Sequence, residues 1–217
     1  MKPSTPLQPA AVEAETRAWV ERVVIGLNLC PFAKAVQARN QIRYVVCAAR
    51  DEATLLVTLL DELKALTLAD PQCVATTLLI HPCVLSDFLD FNQFLGVADA
   101  AIARSGFEGV VQLASFHPNY RFAGTATDDV SNATNRSPYP MLHLLREASV
   151  ERAVAAFPDA ATIYQTNIQT LRELGTPRWR ALLRQCAADA HYANGLVSTQ
   201  AATATRGSSK ASSSRLR

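Results

Sequence analysis

The chain has 217 residues, 49% of them hydrophobic, so it can bury the core of one ordinary domain. The formal net charge is +2, but the last twenty residues contain four basic residues and no acidic one, and the remaining 17 basic and 19 acidic residues have a net charge of −2. Binding to nucleic acid needs clustered Lys and Arg, so a mildly acidic body without a basic stripe argues against nucleic acid as the main partner.

Other features of the sequence favour the cytosol. No apolar run reaches the roughly 20 residues that span a bilayer, and the amino-terminal segment lacks the apolar core of a signal peptide. The five cysteines form an odd set without a Cys-x-x-Cys pair, which is typical of reduced thiols. We therefore expect a cytoplasmic protein that does not contact membranes.

The first predicted elements are a helix, a strand and a second helix. Apolar residues between positions 12 and 27 recur at helical spacing, and Asn28-Leu29-Cys30-Pro31 interrupts that pattern. The β-branched run over residues 42–49 predicts a strand. Asp51 is the expected N-cap of the leucine-rich helix that follows.

The same alternation continues along the chain. Residues 76–82 predict a second strand, and Ser86 is the expected N-cap of a helix that ends near Gly106. Residues 110–116 predict a third strand, which leads into a long polar loop. A further helix is predicted to start at Pro138.

The carboxyl-terminal part contains two more predicted helices, at residues 162–174 and 177–191, before a segment rich in Ser, Thr and Ala. Residues 196–217 are predicted to be a disordered tail and residues 1–9 a flexible amino terminus. Residues 10–195 would then form a single α/β domain.

Strands that alternate with helices of this length imply right-handed crossovers. The sequence therefore predicts an α/β fold with a small, mainly parallel sheet and flanking helices. An α+β two-layer sandwich is the alternative, because three predicted strands make a small sheet and an edge strand could have been missed.

Two of the predicted strands end in the dipeptide His-Pro, at His81-Pro82 and at His117-Pro118. Parallel strands end at one edge of the sheet, where α/β proteins hold their ligands. His117 is therefore a candidate catalytic acid/base, and His81 a candidate orienting or ligating residue. Alternatively, each histidine bonds a nearby backbone group and each proline only stops a strand.

Cys30 is the third candidate catalytic residue, as a nucleophile or a ligand. If residues 31–38 are helical, the thiol lies at the positive end of the helix dipole, with Lys34 one turn on. Both would lower the pKa of the thiol and favour the thiolate. The alternative is a buried cysteine beside Phe32.

The sequence neither predicts nor excludes zinc as a cofactor. His81, His117 and Cys30 are chemically able to bind zinc, but they come from three separate segments without a local spacing motif. A Gly-x-Gly-x-x-Gly turn, a P-loop and a Gly-x-Ser-x-Gly elbow are all missing from the sequence, which counts against dinucleotide, nucleoside triphosphate and standard serine-hydrolase chemistry.

Residues 135–140, Asn-Arg-Ser-Pro-Tyr-Pro, predict an anion site, with Ser137 as the N-cap of the helix starting at Pro138. Because the two prolines remove backbone donors, a bound phosphate or carboxylate would depend on Arg136. A stiff helix entry with an exposed arginine is the alternative. The candidate ligand-binding residues are Arg136, Asn135, Ser137, Tyr120, Asp128 and His143.

Three segments of the chain, residues 28–33 (Asn-Leu-Cys-Pro-Phe-Ala), 112–124 and 135–147, together resemble a bacterial family known as domain of unknown function fourteen-fifteen. The resemblance covers about residues 10–192. It implies membership of that family, and it carries no activity, cofactor or catalytic residue over to this chain.

These observations predict an enzyme that acts on a small anionic metabolite through a Cys/His/Arg site at the carboxyl edge of the sheet. The alternative is a non-catalytic ligand-binding or adaptor protein that uses the same pocket. Convergence of His117, His81 and Cys30 would favour the enzyme, whereas side chains scattered around a loop would favour the binding protein.

Overall fold

The helices and strands are taken from a computed structural model that describes residues 8–156 and 162–208, with side chains as far as residue 190. The helices are α1 (Pro9–Trp19), α2 (Ala33–Ala38), α3 (Glu52–Leu68), α4 (Phe88–Arg104), α5 (Glu147–Ala156) and α6 (Ile163–Ser208). The strands are β1 (Ile42–Val46), β2 (Thr76–Ile80), β3 (Val111–Phe116) and β4 (Met141–Arg146). A π-helical segment, Val20–Ile25, continues α1, and a 3-10 helix, Val130–Asn135, precedes β4.

The four strands form one mixed sheet in the order β1-β2-β4-β3. β1 and β2 pair in parallel, whereas β4 runs antiparallel to both β2 and β3. The predicted alternation of strands and helices is confirmed, and β1, β2 and β3 run in the same direction. However, β4 lies between β2 and β3, so the sheet is mixed, with one parallel pair.

The helix predicted to start at Pro138 is wrong, because residues 141–146 form β4. Leu142 and Leu144 point to one face of the sheet, and Met141 points to the other. This is the two-residue alternation of a strand. The segment lies between two strands that supply hydrogen-bond partners on both sides, and this tertiary context overrides the helix propensity of leucine and methionine. α5 begins immediately after the strand.

Helices cover both faces of the sheet. α3 and α4 pack on one face, where their buried side chains include Leu59, Leu63 and Phe91. α1 and α6 pack on the opposite face through residues such as Trp19 and Leu171. The molecule therefore has three layers, which excludes the two-layer alternative.

Capping residues mark the ends of α3 and α4. Asp51 accepts a hydrogen bond from the Thr54 backbone N–H (2.8 Å), which confirms it as the N-cap of α3. The prediction of Ser86 as the N-cap of α4 is wrong by one residue, because Asp87 is the cap and accepts from the Leu89 N–H (2.8 Å). Gly106 follows α4 with φ 76°, the left-handed conformation expected of a glycine that ends a helix.

α6 contains a break at Gly175, whose φ of 74° and ψ of 157° are accessible essentially to glycine alone. This break separates the two helical segments that the sequence predicts. α6 includes residues 196–208 of the segment predicted to be disordered, while residues 1–7, 157–161 and 209–217 lie outside the described residues. In the described parts of the chain, no helix combines the length and the apolar character needed to cross a bilayer.

Candidate functional site

His81 and His117 both lie at the edge of the sheet where β2 and β3 end. The His81 N–H donates to the carbonyl of Pro140 (3.0 Å), the residue before β4, and the His117 N–H donates to the carbonyl of Asn135 (3.1 Å). The two histidines therefore lie at the same edge of the sheet, as predicted. The two strands are not neighbours, because β4 lies between them.

The rings of both histidines pack against Phe91 of α4. The centroid of the Phe91 ring lies 5.8 Å from that of His81 and 5.1 Å from that of His117. His81 is 0% exposed and His117 is 1% exposed. The structure thus brings the two histidines to one aromatic side chain, inside the core.

The hydrogen bonds of the two rings define their tautomers. In His117, Nδ1 accepts from the Asn119 N–H (3.0 Å), so Nε2 carries the proton and donates to the Leu85 carbonyl (3.2 Å). In His81, Nδ1 donates to the Val84 carbonyl (3.1 Å), and Nε2 is a buried acceptor with no partner among the described residues. Of the two histidines, only His81 therefore retains an unused ring nitrogen.

Both histidines are neutral at neutral pH. Burial lowers the pKa of His81 to about 4, and it also lowers the pKa of His117. A neutral imidazole offers no charge to an anion. The Nε2 of His81 can accept a hydrogen bond from a neutral donor such as a hydroxyl or amide.

Cys30 lies on the other side of the sheet. The preceding residue, Leu29, packs in the core on the α1–α6 face, and its carbonyl accepts from the Asn167 side chain of α6 (2.9 Å). Burial raises the pKa of the Cys30 thiol, although the backbone N–H groups of Phe32 and Ala33 oppose this effect. The predicted lowering of this pKa is therefore wrong, because burial outweighs the backbone N–H groups that precede and begin α2.

A three-ligand metal site is not assembled from the described residues. Among them, no group of three or more His, Cys, Asp or Glu side chains could hold a metal ion. In particular, the set of His81, His117 and Cys30 is divided between the two faces of the sheet.

Arg136 joins two parts of the loop that follows β3, and it does not lie at a helix start. Its Nε donates to the Tyr120 carbonyl (3.1 Å), and its Nη2 donates to the Thr127 carbonyl (2.7 Å). These bonds use two of the five guanidinium N–H groups. Nη1 makes no hydrogen bond to the described residues and is not among their buried unsatisfied atoms, so solvent reaches it.

The charge of Arg136 is poorly compensated. The guanidinium is half-buried, and no ion pair among the described residues includes it. Burial lowers its pKa, and the nearby Asp129 carboxylate partly offsets this effect. The guanidinium has therefore lost part of its hydration without gaining an ion pair among the described residues, and an anion that binds there would stabilise its charge.

The loop around Arg136 is held by a buried asparagine that sequence reasoning missed. Asn132 is 0% exposed. Its Oδ1 accepts from the Phe122 N–H (2.9 Å) and the Thr125 hydroxyl (2.8 Å), and its Nδ2 donates to the Ala126 carbonyl (2.9 Å). Asn, Asp and Thr recur in this loop, and their tendency to bond nearby backbone is the one signal that could have indicated the role.

α1 contacts the segment that contains Arg136, which the sequence also did not indicate. The Trp19 Nε1 donates to the Arg136 carbonyl (3.1 Å), and the Tyr139 hydroxyl donates to the Glu15 carboxylate (2.6 Å). Burial and this carboxylate raise the pKa of Tyr139. The partners are more than 100 residues apart, so no local pattern could reveal them.

The other predicted ligand-binding residues have separate positions. The Asn135 side chain donates to the Ser115 carbonyl (3.1 Å), and the buried Ser137 hydroxyl donates to the Tyr139 carbonyl (2.6 Å) and caps no helix. Asp128 is exposed in the loop. His143 lies in β4 on the α1–α6 face of the sheet, away from His81 and His117.

The fold and this arrangement define a mixed α/β protein with an accessible, half-buried arginine in an ordered loop at one edge of its sheet. The sequence profile described as "Protein of unknown function (DUF1415)" matches residues 11–181, so the chain belongs to this family, and the predicted family is confirmed. Neither the curated proteins nor the solved structures include a significant match to the chain.

Proposed function

We propose that the protein binds a small anionic molecule at Arg136. The observation that carries this proposal is the half-buried guanidinium, which has no ion-pair partner among the described residues and keeps Nη1 open to solvent. A carboxylate or phosphate at Nη1 would supply the counter-charge that the guanidinium lacks, and it would accept a charge-assisted hydrogen bond.

The positions of the other candidate residues favour binding without catalysis. Both ring nitrogens of His117 are engaged by backbone groups, so neither is free for a substrate proton. Cys30 lies on the opposite face of the sheet with a raised thiol pKa. These two residues do not form one catalytic arrangement with Arg136.

An enzyme acting on the same kind of metabolite is the second candidate, and His81 is the observation in its favour. Its Nε2 is buried and has no partner among the described residues, so a neutral substrate group that enters this space would satisfy it. His81→Asn keeps a donor for the Val84 carbonyl and removes the Nε2 acceptor. Consumption of a carboxylated or phosphorylated metabolite by the wild type but not by this variant, followed by mass spectrometry, would support the enzyme. No consumption by the wild type would contradict it.

We also propose a cytosolic location. The five cysteines all lie within the described residues and are free, and Cys73 is exposed. Exposed free thiols are characteristic of a reducing compartment.

The anion proposal is tested by calorimetric titration with phosphate, sulfate and acetate. A hydrogen bond to a charged group contributes about 1.5–3 kcal/mol, so we expect Arg136→Gln to weaken binding roughly 10- to 100-fold. Arg136→Lys should retain part of the affinity, because it keeps the charge and loses the planar fork.

The control is Arg180→Ala, which removes an exposed arginine of α6. Circular dichroism would show that each variant is folded. We expect Arg136→Gln to fold, because the introduced glutamine side chain can still donate to a loop carbonyl. Equal anion affinities for the wild type and Arg136→Gln would refute the proposal.

A further inference from the structure

A row of four aromatic rings includes that of Tyr120, the residue whose backbone carbonyl accepts from Arg136. The ring of Phe88 is 5.1 Å from that of Tyr120, which is 5.0 Å from that of Phe122, and Phe122 is 5.7 Å from Tyr164 of α6. We call these four residues the aromatic row. At its inner end, Phe88 contacts His117 with a centroid distance of 5.5 Å.

The aromatic row reaches solvent at Tyr164. Phe88, Tyr120 and Phe122 are half-buried, and Tyr164 is 49% exposed. The Nε of Arg136 donates to the backbone carbonyl of Tyr120, so the guanidinium is bonded to the main chain of a residue whose ring belongs to the aromatic row. A partly exposed ring and an accessible N–H donor thus meet at one residue, Tyr120.

We propose that the anion bound at Arg136 carries a planar ring, aromatic or heteroaromatic, which packs against the aromatic row. This inference rests on the proposed function. The guanidinium supplies the charge complement for a carboxylate or phosphate, while the rings supply edge-to-face or offset contacts that a ligand without a ring cannot make.

The charge around the site favours a small ligand over a nucleic acid strand. Asp128 and Asp129 lie in the same loop as Arg136. The Asp129 carboxylate is close enough to Arg136 and Arg172 for the opposite charges to attract each other. These carboxylates would repel a polyanion. A ligand with one compact anionic group avoids most of this repulsion.

The test compares benzoate with cyclohexanecarboxylate, which has a similar size and the same charge without a planar ring, and with acetate. Calorimetry on the full chain should give benzoate an affinity several-fold to about tenfold higher than cyclohexanecarboxylate. Phe122→Leu and Tyr164→Leu should reduce this preference for benzoate and leave acetate binding unchanged. Leu68→Ala, at an 87% exposed position of α3, is the control for loss of an exposed apolar side chain.

The outcomes separate this inference from the proposed function. If acetate and phosphate bind through Arg136 but benzoate binds no more tightly than cyclohexanecarboxylate, the planar-ring inference is overturned while the anion site stands. If no anion binds, both are overturned. Tighter binding of a single-stranded oligonucleotide than of benzoate would also overturn the inference, in favour of a nucleic acid ligand.

Discussion

At the residue scale, His143 shows how burial determines the charge of a side chain. Its Nε2 donates to the Thr76 hydroxyl (2.7 Å), which itself donates to the Leu144 carbonyl (2.6 Å). Burial lowers the pKa of His143 to about 4, as it does for His81. Both side chains are neutral in the folded protein above this pH, whereas an unfolded chain would bind protons near pH 6.5.

The folded protein should therefore lose stability as the pH falls. Between about pH 6.5 and 4 the unfolded state binds more protons than the folded state, so the free energy of unfolding decreases by up to about 1.4 kcal/mol per pH unit for each such histidine. Urea denaturation at pH 7, 6 and 5 would measure this slope. His143→Gln, which keeps a donor for Thr76, should have a shallower slope, and a slope identical to that of the wild type would contradict this assignment.

Whether the role of a single residue could be predicted depended on how far along the chain its neighbours lie. Asp51 and Gly106 act as expected because capping involves only the nearest turn of chain. The pKa of Cys30 could not be predicted, because its burial depends on packing against distant segments such as α6. The carbonyl partners of Arg136 likewise depend on the path of the loop.

At the element scale, the π-helical segment after α1 depends on Gly26. A Cβ at this position would overlap the Arg22 carbonyl oxygen, although the backbone of Gly26 is ordinary right-handed helix. The wide turn brings the carbonyl close to the Cα. Only a glycine fits there without movement of the backbone.

Gly26→Ala should therefore lower the free energy of unfolding by about 1–3 kcal/mol, the usual range for overpacking. The matched control is Gly96→Ala in α4, where a Cβ would meet nothing within 4 Å. That substitution should stabilise the protein by about 0.5–1 kcal/mol, because alanine favours helix. Chemical denaturation of both variants measures the two changes in the free energy of unfolding. Equal changes for Gly26→Ala and Gly96→Ala would show that the space at Gly26 is not restrictive.

β4 is the element whose type the local sequence did not indicate. Its residues Met-Leu-His-Leu-Leu-Arg suit a helix, and its strand conformation comes from pairing with β2 and β3. β1, β2 and β3 were predictable because β-branched residues or flanking turn residues mark them. The common edge of His81 and His117 followed from the direction of these strands.

At the scale of the whole molecule, three layers place the candidate site at one end of the sheet. α4 supplies Phe88 and Phe91, β2 and β3 end in the two histidines, and α1 holds the segment of Arg136 through Trp19. The alternation of strands and helices indicated the class of fold. The position of the arginine between two loop carbonyls could not be predicted, because these partners, Tyr120 and Thr127, lie 16 and 9 residues earlier in the chain.

Nuclear magnetic resonance of the arginine side-chain nitrogen and hydrogen atoms would show whether the proposed anion contacts Arg136. During titration with benzoate, the Arg136 signals should shift and saturate with the dissociation constant found by calorimetry, while those of the exposed Arg180 remain in place. Arg136 signals that stay unchanged while benzoate binds, or shifts confined to other arginines, would show that Arg136 is not the anion site.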